Sequence, residues 1–208
     1  LKKSDKGGLQ RMISEQVQNI VFNCVESLKN MKFPEDRYYT RLLTWVKVEG
    51  DIIKVGLSQP FVCLFSPLIE VIYPNIPVKV GIDTPCAWVK HRDGIFSIRS
   101  PAKGNLFKLN ERILTEPDIL NKDPYFDGWL FEIELDKGEN LKRLMNSVEF
   151  SEFFNDKLDK FRKEVVRFID RHCGDEMMVQ NGDVAIVTLK DLLGPKRYLL
   201  IARRVFGF

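Results

Sequence analysis

A change of hydrophobic period, from helical to strand-like and back, constrains this chain most. Across its middle the apolar residues come in short runs broken by proline and glycine. Thr44-Trp45-Val46-Lys47-Val48 alternates, Gly50-Asp51 is a turn pair, and Ile52-Ile53-Lys54-Val55 answers it, which predicts a β-hairpin. Ile69–Tyr73, Cys86–Val89, Ile95–Ile98, Asn105–Leu109 and Trp129–Leu135 read as further strands. Pro74, Pro77, Gly81, Pro85, Pro101 and Gly104 stand between them. Such a series of short, punctuated strands predicts an antiparallel sandwich or small barrel.

On either side the period is helical. Ile13, Val17, Ile20, Val21, Cys24 and Leu28 recur at three- and four-residue steps, predicting an amphipathic helix of about five turns that stops near Asn30. Phe33-Pro34 begins a linker. Downstream, Phe154, Leu158, Phe161, Val165, Phe168 and Ile169 predict a second long helix, with Ser151 placed as its cap and Gly174 as its end. Its aromatic stripe is a packing face, for its own domain or for a partner. Val184–Leu189 and Tyr198–Ala202, separated by Gly194-Pro195, read as a terminal β-hairpin.

Composition narrows the function classes. In 208 residues, 29% are charged and 44% hydrophobic, the balance of a soluble globular chain with one domain plus extensions or two small domains. A net charge of +3 does not point to a nucleic-acid or membrane-surface partner. No apolar run approaches the ~18 residues that span a bilayer, and no signal peptide is visible. Cys24, Cys63, Cys86 and Cys173 form no CxxC pair and read as free thiols of a reducing cytoplasm. With only His91 and His172, no zinc site is expected. Lys6-Gly7-Gly8 and Gly194-Pro195-Lys196 lack the context of a phosphate-binding loop. Lys196-Arg197 and Arg203-Arg204 lack the aromatic platform of single-strand binders.

Two stretches are more specific. Tyr39-Thr40-Arg41-Leu42-Leu43-Thr44-Trp45-Val46, with Glu49-Gly50-Asp51 and Lys54-Val55-Gly56-Leu57-Ser58, forms one. The other places Asn110-Glu111, Leu114, Pro117, Leu120-Asn121, Asp123-Pro124-Tyr125 and Gly128-Trp129-Leu130 in fixed spacing, after a Ser100-Pro101-x-x-Gly104 turn. Together they resemble the glycine-cleavage H-protein family over roughly residues 38–136. The resemblance implies an α+β chain. Its centre is an antiparallel barrel-sandwich hybrid, flanked by an N-terminal amphipathic helix and a C-terminal helix plus β-hairpin. The expected domains are an N-terminal helical extension at 1–36, the H-protein-like lipoyl-type domain at 37–137, and the C-terminal extension at 138–208. Trp45 and Trp129 are its expected core anchors.

In that family a lysine at a hairpin tip carries lipoic acid through an amide. A register without gaps between Val55-Gly56 and Ser100-Pro101 puts Asp93 at that position, and a carboxylate cannot form the amide. Arg92-Asp93-Gly94 is nonetheless good hairpin chemistry, Asp-Gly being favoured in a type I′ turn. Lys90 is the nearest amine. It lies ~10 Å away along an extended strand and, at an odd separation, on the opposite face. Leu42, Leu43 and Thr44 replace acidic and histidine residues of the family, which suggests a covered surface.

The chain is therefore expected to be no enzyme but a non-lipoylated module. It would serve as an adaptor or structural subunit in a multi-subunit complex or homo-oligomer formed through the added helices. No cofactor, nucleic acid or membrane insertion is expected, and its place is the cytoplasm. A second reading is a carrier of the glycine cleavage system or a related lipoate-dependent pathway, with lipoate on Lys90. A third is a small-molecule-binding regulatory module using the Lys90-His91-Arg92 cluster, in which His91 reads as exposed.

Overall fold

A computed structural model describes residues 3–172 and 188–208, with the backbone alone at 3–14, 16 and 172. The chain divides into two compact units. One comprises 1–30 with 155–205, and the other 31–154 with 206–208.

The second unit holds two antiparallel sheets. The larger contains β1 (Tyr38–Tyr39), β2 (Thr44–Glu49), β3 (Ile52–Leu57), β5 (Val78–Val80), β8 (Gly104–Leu109) and β9 (Trp129–Leu135), in the order β1-β2-β3-β9-β8-β5. The smaller is β4 (Leu68–Ile72), β6 (Pro85–His91) and β7 (Gly94–Arg99), with β6 in the centre. Each predicted strand of the middle section forms. Gly50 adopts φ +66° at the first central position of the β2–β3 turn, where Glu49 pairs with Ile52, the φ signature of a type II′ hairpin. The period of two works as expected. Trp45, Ile53, Val55, Leu106, Phe131 and Ile133 of the large sheet are buried, as are Val71, Ala87, Val89, Phe96 and Ile98 of the small one. Each large side chain so buried contributes about 1.5–3 kcal/mol of transfer free energy.

Trp129 departs from expectation. It is half-buried, and the Lys54 and Lys108 ammonium groups each lie 5.3 Å from its ring centroid. Both lysines also pair with Glu132, two positions on from Leu130. Trp129 thus sits among the charged side chains around the buried Glu132, and of the two tryptophans Trp45 alone is fully buried in the core.

Helix α2 (Gln59–Phe65) was hidden inside an apolar run. Ser58 stands at its N-cap position, Pro60 lies in its first turn, and Phe61, Val62, Leu64 and Phe65 are buried. Two single-turn helices, α3 (Arg112–Thr115) and α4 (Ile119–Lys122), carry the chain from β8 to β9. Asn121 substitutes for a strand partner there. Its Oδ1 accepts from the Leu68 N–H and the Ser66 hydroxyl, and its Nδ2 donates to the Leu68 carbonyl.

In the first unit, α1 (Lys3–Lys29) buries Val21, Val25 and Leu28. Helix α5 (Ser147–His172) runs from one unit into the other, and its stripe of Leu158, Phe161 and Val165 is fully buried. Within the unit Lys29 pairs with Asp159 at 2.9 Å, and Phe161 meets Tyr198 edge to face. The aromatic stripe thus packs on its own chain.

Two expectations are corrected. Ser151 does not cap α5; it lies inside it. The cap is Asn146, whose Oδ1 accepts from the Val148 and Glu149 N–H groups, while the Glu149 carboxylate accepts from the Asn146 N–H. This is the reciprocal capping box. The second correction concerns the terminal hairpin. Tyr198–Ala202 lies in helix α7 (Pro195–Phe206), which follows helix α6 (Leu189–Leu193). Thr188 and Asp191 form a capping box for α6, and Gly194 turns the chain with φ +74° before Pro195 opens α7. Tyr198, Ala202 and Val205 are buried at helical spacing. The Val184–Val187 part of the proposed hairpin, and Gly174, lie outside the described residues.

Candidate functional site

The hairpin β6–β7 carries both residues singled out from sequence. His91 pairs with Gly94, so its two-residue loop is Arg92-Asp93, and Gly94 is already the first residue of β7. Among the described residues positive φ occurs at Leu43, Asp83, Gly50, Gly138, Gly194 and Gly207. Neither Arg92 nor Asp93 has it, so the expected type I′ turn is not formed. The reason lies in His91: its Nδ1 accepts the Asp93 N–H at 3.0 Å, a side-chain bond that closes the tip in place of left-handed backbone.

His91 is a second correction, because it is buried, with 8% of its surface exposed. Accepting from the Asp93 amide leaves Nδ1 unprotonated and puts the proton of a neutral ring on Nε2. The nearby Asp93 Oδ2 lies 3.9 Å from Nδ1, a contact that is an ion pair only with the ring protonated. Asp93 is itself mostly covered, its side chain 18% exposed, while Arg92 is exposed.

Lys90 faces the other way, as the odd spacing requires. It pairs across the sheet with Glu70 of β4, and its Nζ donates to Glu70 Oε2 at 2.9 Å. The cluster Lys90-His91-Arg92 is therefore split three ways: an ion-paired lysine outside, a buried imidazole inside, and an exposed guanidinium at the tip. Glu70 was not legible as a partner because twenty positions and a register separate it from Lys90.

Beneath the hairpin Phe96 belongs to an aromatic cluster with Phe61 and Phe65 of α2. Phe208 completes it, its ring centroid 5.2–5.5 Å from each of the three. Leu43 is fully buried, and Leu42 is half-buried beside Gly207. Leu43 is thus covered, whereas Leu42 is covered only in part. Burial pushes the thiol of Cys86 in β6 up to about 12, against weaker opposing bonds from Ser100, so it is no thiolate at neutral pH. Among the described residues no group of three His, Cys, Asp or Glu could hold a metal ion. No helix of the described residues is long and apolar enough to cross a membrane.

The second sequence stretch of high specificity has a clear physical role. The Pro124 carbonyl accepts from Trp45 Nε1 at 2.8 Å, and the Tyr125 carbonyl from the buried Arg37 at 2.7 Å. The Tyr125 hydroxyl accepts the first N–H of α2. Gly128 folds back onto Asp123 and Pro124 so closely that any Cβ would strike their backbone. Asn110 Nδ2 bridges the carbonyls of Asp127 and Trp129. Asp123-Pro124-Tyr125-x-x-Gly128-Trp129 is thus the clasp joining β2, α2 and β9.

Two packed antiparallel sheets with this clasp define the class, an H-protein-like barrel-sandwich hybrid within an α+β chain. The comparisons agree. The family described as Glycine cleavage H-protein matches residues 37–157. A glycine cleavage system H protein of Endomicrobium trichonymphae is 31% identical over 120 residues, covering 58% of this chain and 97% of that protein. That of Methylacidiphilum infernorum is 24% identical over 127 residues, or 61% of this chain and 99% of the other. In fold, the crystal structure of a glycine cleavage system H protein from Mycobacterium marinum superposes with TM-score 0.52 at 24% identity, over 57% of this chain and 96% of that one. This chain belongs to the glycine cleavage H-protein family.

Proposed function

We propose that the chain is a non-enzymatic H-protein-like module without a lipoyl attachment, acting as an adaptor or structural subunit of a multiprotein assembly. Asp93 carries this reading. It occupies the hairpin tip where the family's register puts the lipoyl lysine, and a carboxylate offers no amine to acylate. Its amide is tied to His91 and its side chain is largely covered. Lys90, the nearest amine, is engaged with Glu70 on the outer face of the small sheet, away from the tip. The residues present therefore do not fit the family's prosthetic group. In this proposal residues 37–137 are the H-like body, and the segments 1–36 and 138–208 present the docking faces. The thiols of Cys63 and Cys86, both unbridged, suit a reducing cytoplasm.

Intact-mass spectrometry after co-expression with a lipoate ligase tests the reading. The native chain and Lys90→Ala should show the unmodified mass. A gain of one lipoyl group on the native chain, lost in Lys90→Ala, would overturn the proposal and establish a carrier attached at Lys90. Purification from its own cells as a lone monomer would count against the adaptor role.

A further inference from the structure

With Lys90 paired and His91 buried, the hairpin cluster is a poor anion site, but the same unit contains a better one. A pocket of about 300 Å³ is lined by Arg41 and Leu42 of the β1–β2 turn, Ile82 and Asp83 of the β5–β6 turn, Arg99 at the end of β7 with Ser100 and Pro101 after it, and Arg143 and Leu144 before α5. We propose that this pocket binds a small phosphomonoester, with the three guanidinium groups on the phosphate and Leu42, Ile82 and Leu144 against its carbon body.

Charge is the first support. Arg41, Arg99 and Arg143 share the lining with one carboxylate, Asp83. Among the described residues, none of the three arginines has a carboxylate within ion-pair distance, although other surface arginines, such as Arg112 and Arg167, do. The lining thus carries two net positive charges. A phosphomonoester carries about −1.5 to −2 at neutral pH and matches it, where a monocarboxylate would leave charge uncompensated. Guanidinium forks are the side chains best suited to phosphate oxygens.

Pre-organisation is the second. Arg41 is held over the Phe153 ring at 5.3 Å, and Arg99 Nη1 donates to the Asp83 carbonyl at 3.2 Å. Asp83 in the lining, and Leu43 next to the lining residue Leu42, both adopt positive φ, a region that non-glycine residues seldom occupy. Each is bonded in place: the Leu43 carbonyl accepts from the Ser58 N–H and hydroxyl, and the Asp83 N–H donates to the Ser100 carbonyl. Tyr39 and Met145 exchange both backbone bonds, which fixes the segment bearing Arg143 beside β1.

Size is the third. At about 30 Å³ per water-sized atom group, the pocket admits a ligand of roughly ten non-hydrogen atoms, a phosphate with a short carbon body. No aromatic residue lines it as a stacking platform for a nucleobase.

Calorimetric titration of the full chain at low salt tests the assignment, with glycerol 3-phosphate, inorganic phosphate and glycerol as probes. Glycerol 3-phosphate should bind saturably, at least about tenfold tighter than inorganic phosphate, and glycerol should give no heat. Arg41→Gln and Arg143→Gln should each weaken the ester about tenfold or more, whereas Arg92→Gln at the hairpin tip should leave it unchanged. Asp83→Asn, which keeps a residue tolerant of positive φ, should tighten binding. Absence of saturable heat at about 10 mM ester would overturn the proposal. So would equal binding of phosphate and ester, or an equal loss in Arg92→Gln.

Discussion

Gly56→Ala adds one methyl group where the fold leaves no room for it. Gly56 pairs with Trp45 across β2 and β3, and an added Cβ would sit 2.8 Å from the indole Nε1 and closer still to two ring carbons. Trp45 cannot retreat. It is 1% exposed, its Nε1–H is bonded to the Pro124 carbonyl at 2.8 Å, and the Arg37 guanidinium lies 4.9 Å from its ring centroid. Overpacking of this kind costs about 1–3 kcal/mol. If the ring shifts enough to break the Pro124 bond, a buried donor and acceptor lose their partners for about 1–3 kcal/mol more. The expected loss is about 2–6 kcal/mol, a large share of the about 5–15 kcal/mol that stabilises a whole domain. Equilibrium urea unfolding followed by far-UV circular dichroism measures it without relying on tryptophan emission. Gly56 and Trp45 should also be energetically coupled. Phenylalanine lacks the fused ring that the new Cβ strikes, so Trp45→Phe should cost less in the Gly56→Ala background than in the native chain, by about 1 kcal/mol or more. A Gly56→Ala loss below about 0.5 kcal/mol, or strictly additive costs, would refute the argument.

Because burial raises the Cys86 thiol to about 12, it stays protonated in the folded chain while the unfolded thiol titrates near its ordinary value of about 8.5. Its contribution to stability is full below about pH 8.5 and is lost as pH rises toward 12. The fall in urea midpoint over that window should be smaller in Cys86→Ala. A thiol reagent at pH 8 should label exposed Cys63 rapidly and Cys86 only on unfolding. Asn146→Ala should cost about 1 kcal/mol in urea unfolding by removing the cap of α5, while Ser151→Ala should change stability by less than about 0.5 kcal/mol. The reverse ranking would place the cap at Ser151 after all.

What local patterning encodes is legible in this sequence. Alternation and turn chemistry are short-range effects of the backbone, so the strands from Thr44 to Leu135, the Gly50 turn and the long helices could be read from neighbours in the chain. The clasp residues from Asn110 to Trp129 were legible as a pattern, but their purpose was not, since their partners Arg37, Trp45 and Gln59 are remote in sequence. Where two local readings competed, tertiary context chose. Apolar runs at Phe61–Phe65 and Tyr198–Ala202 suit strand or helix equally by composition. Pro60 and Pro195, each in a first helical turn, suit both to helices whose buried faces the fold could receive. The fate of the charged residues was decided by tertiary structure alone. Register sets Lys90 against Glu70, turns His91 inward to accept the Asp93 amide, and gathers Arg41, Arg99 and Arg143 around one pocket. Spacing along the chain says which face a side chain takes; only the packing of distant strands says what waits there.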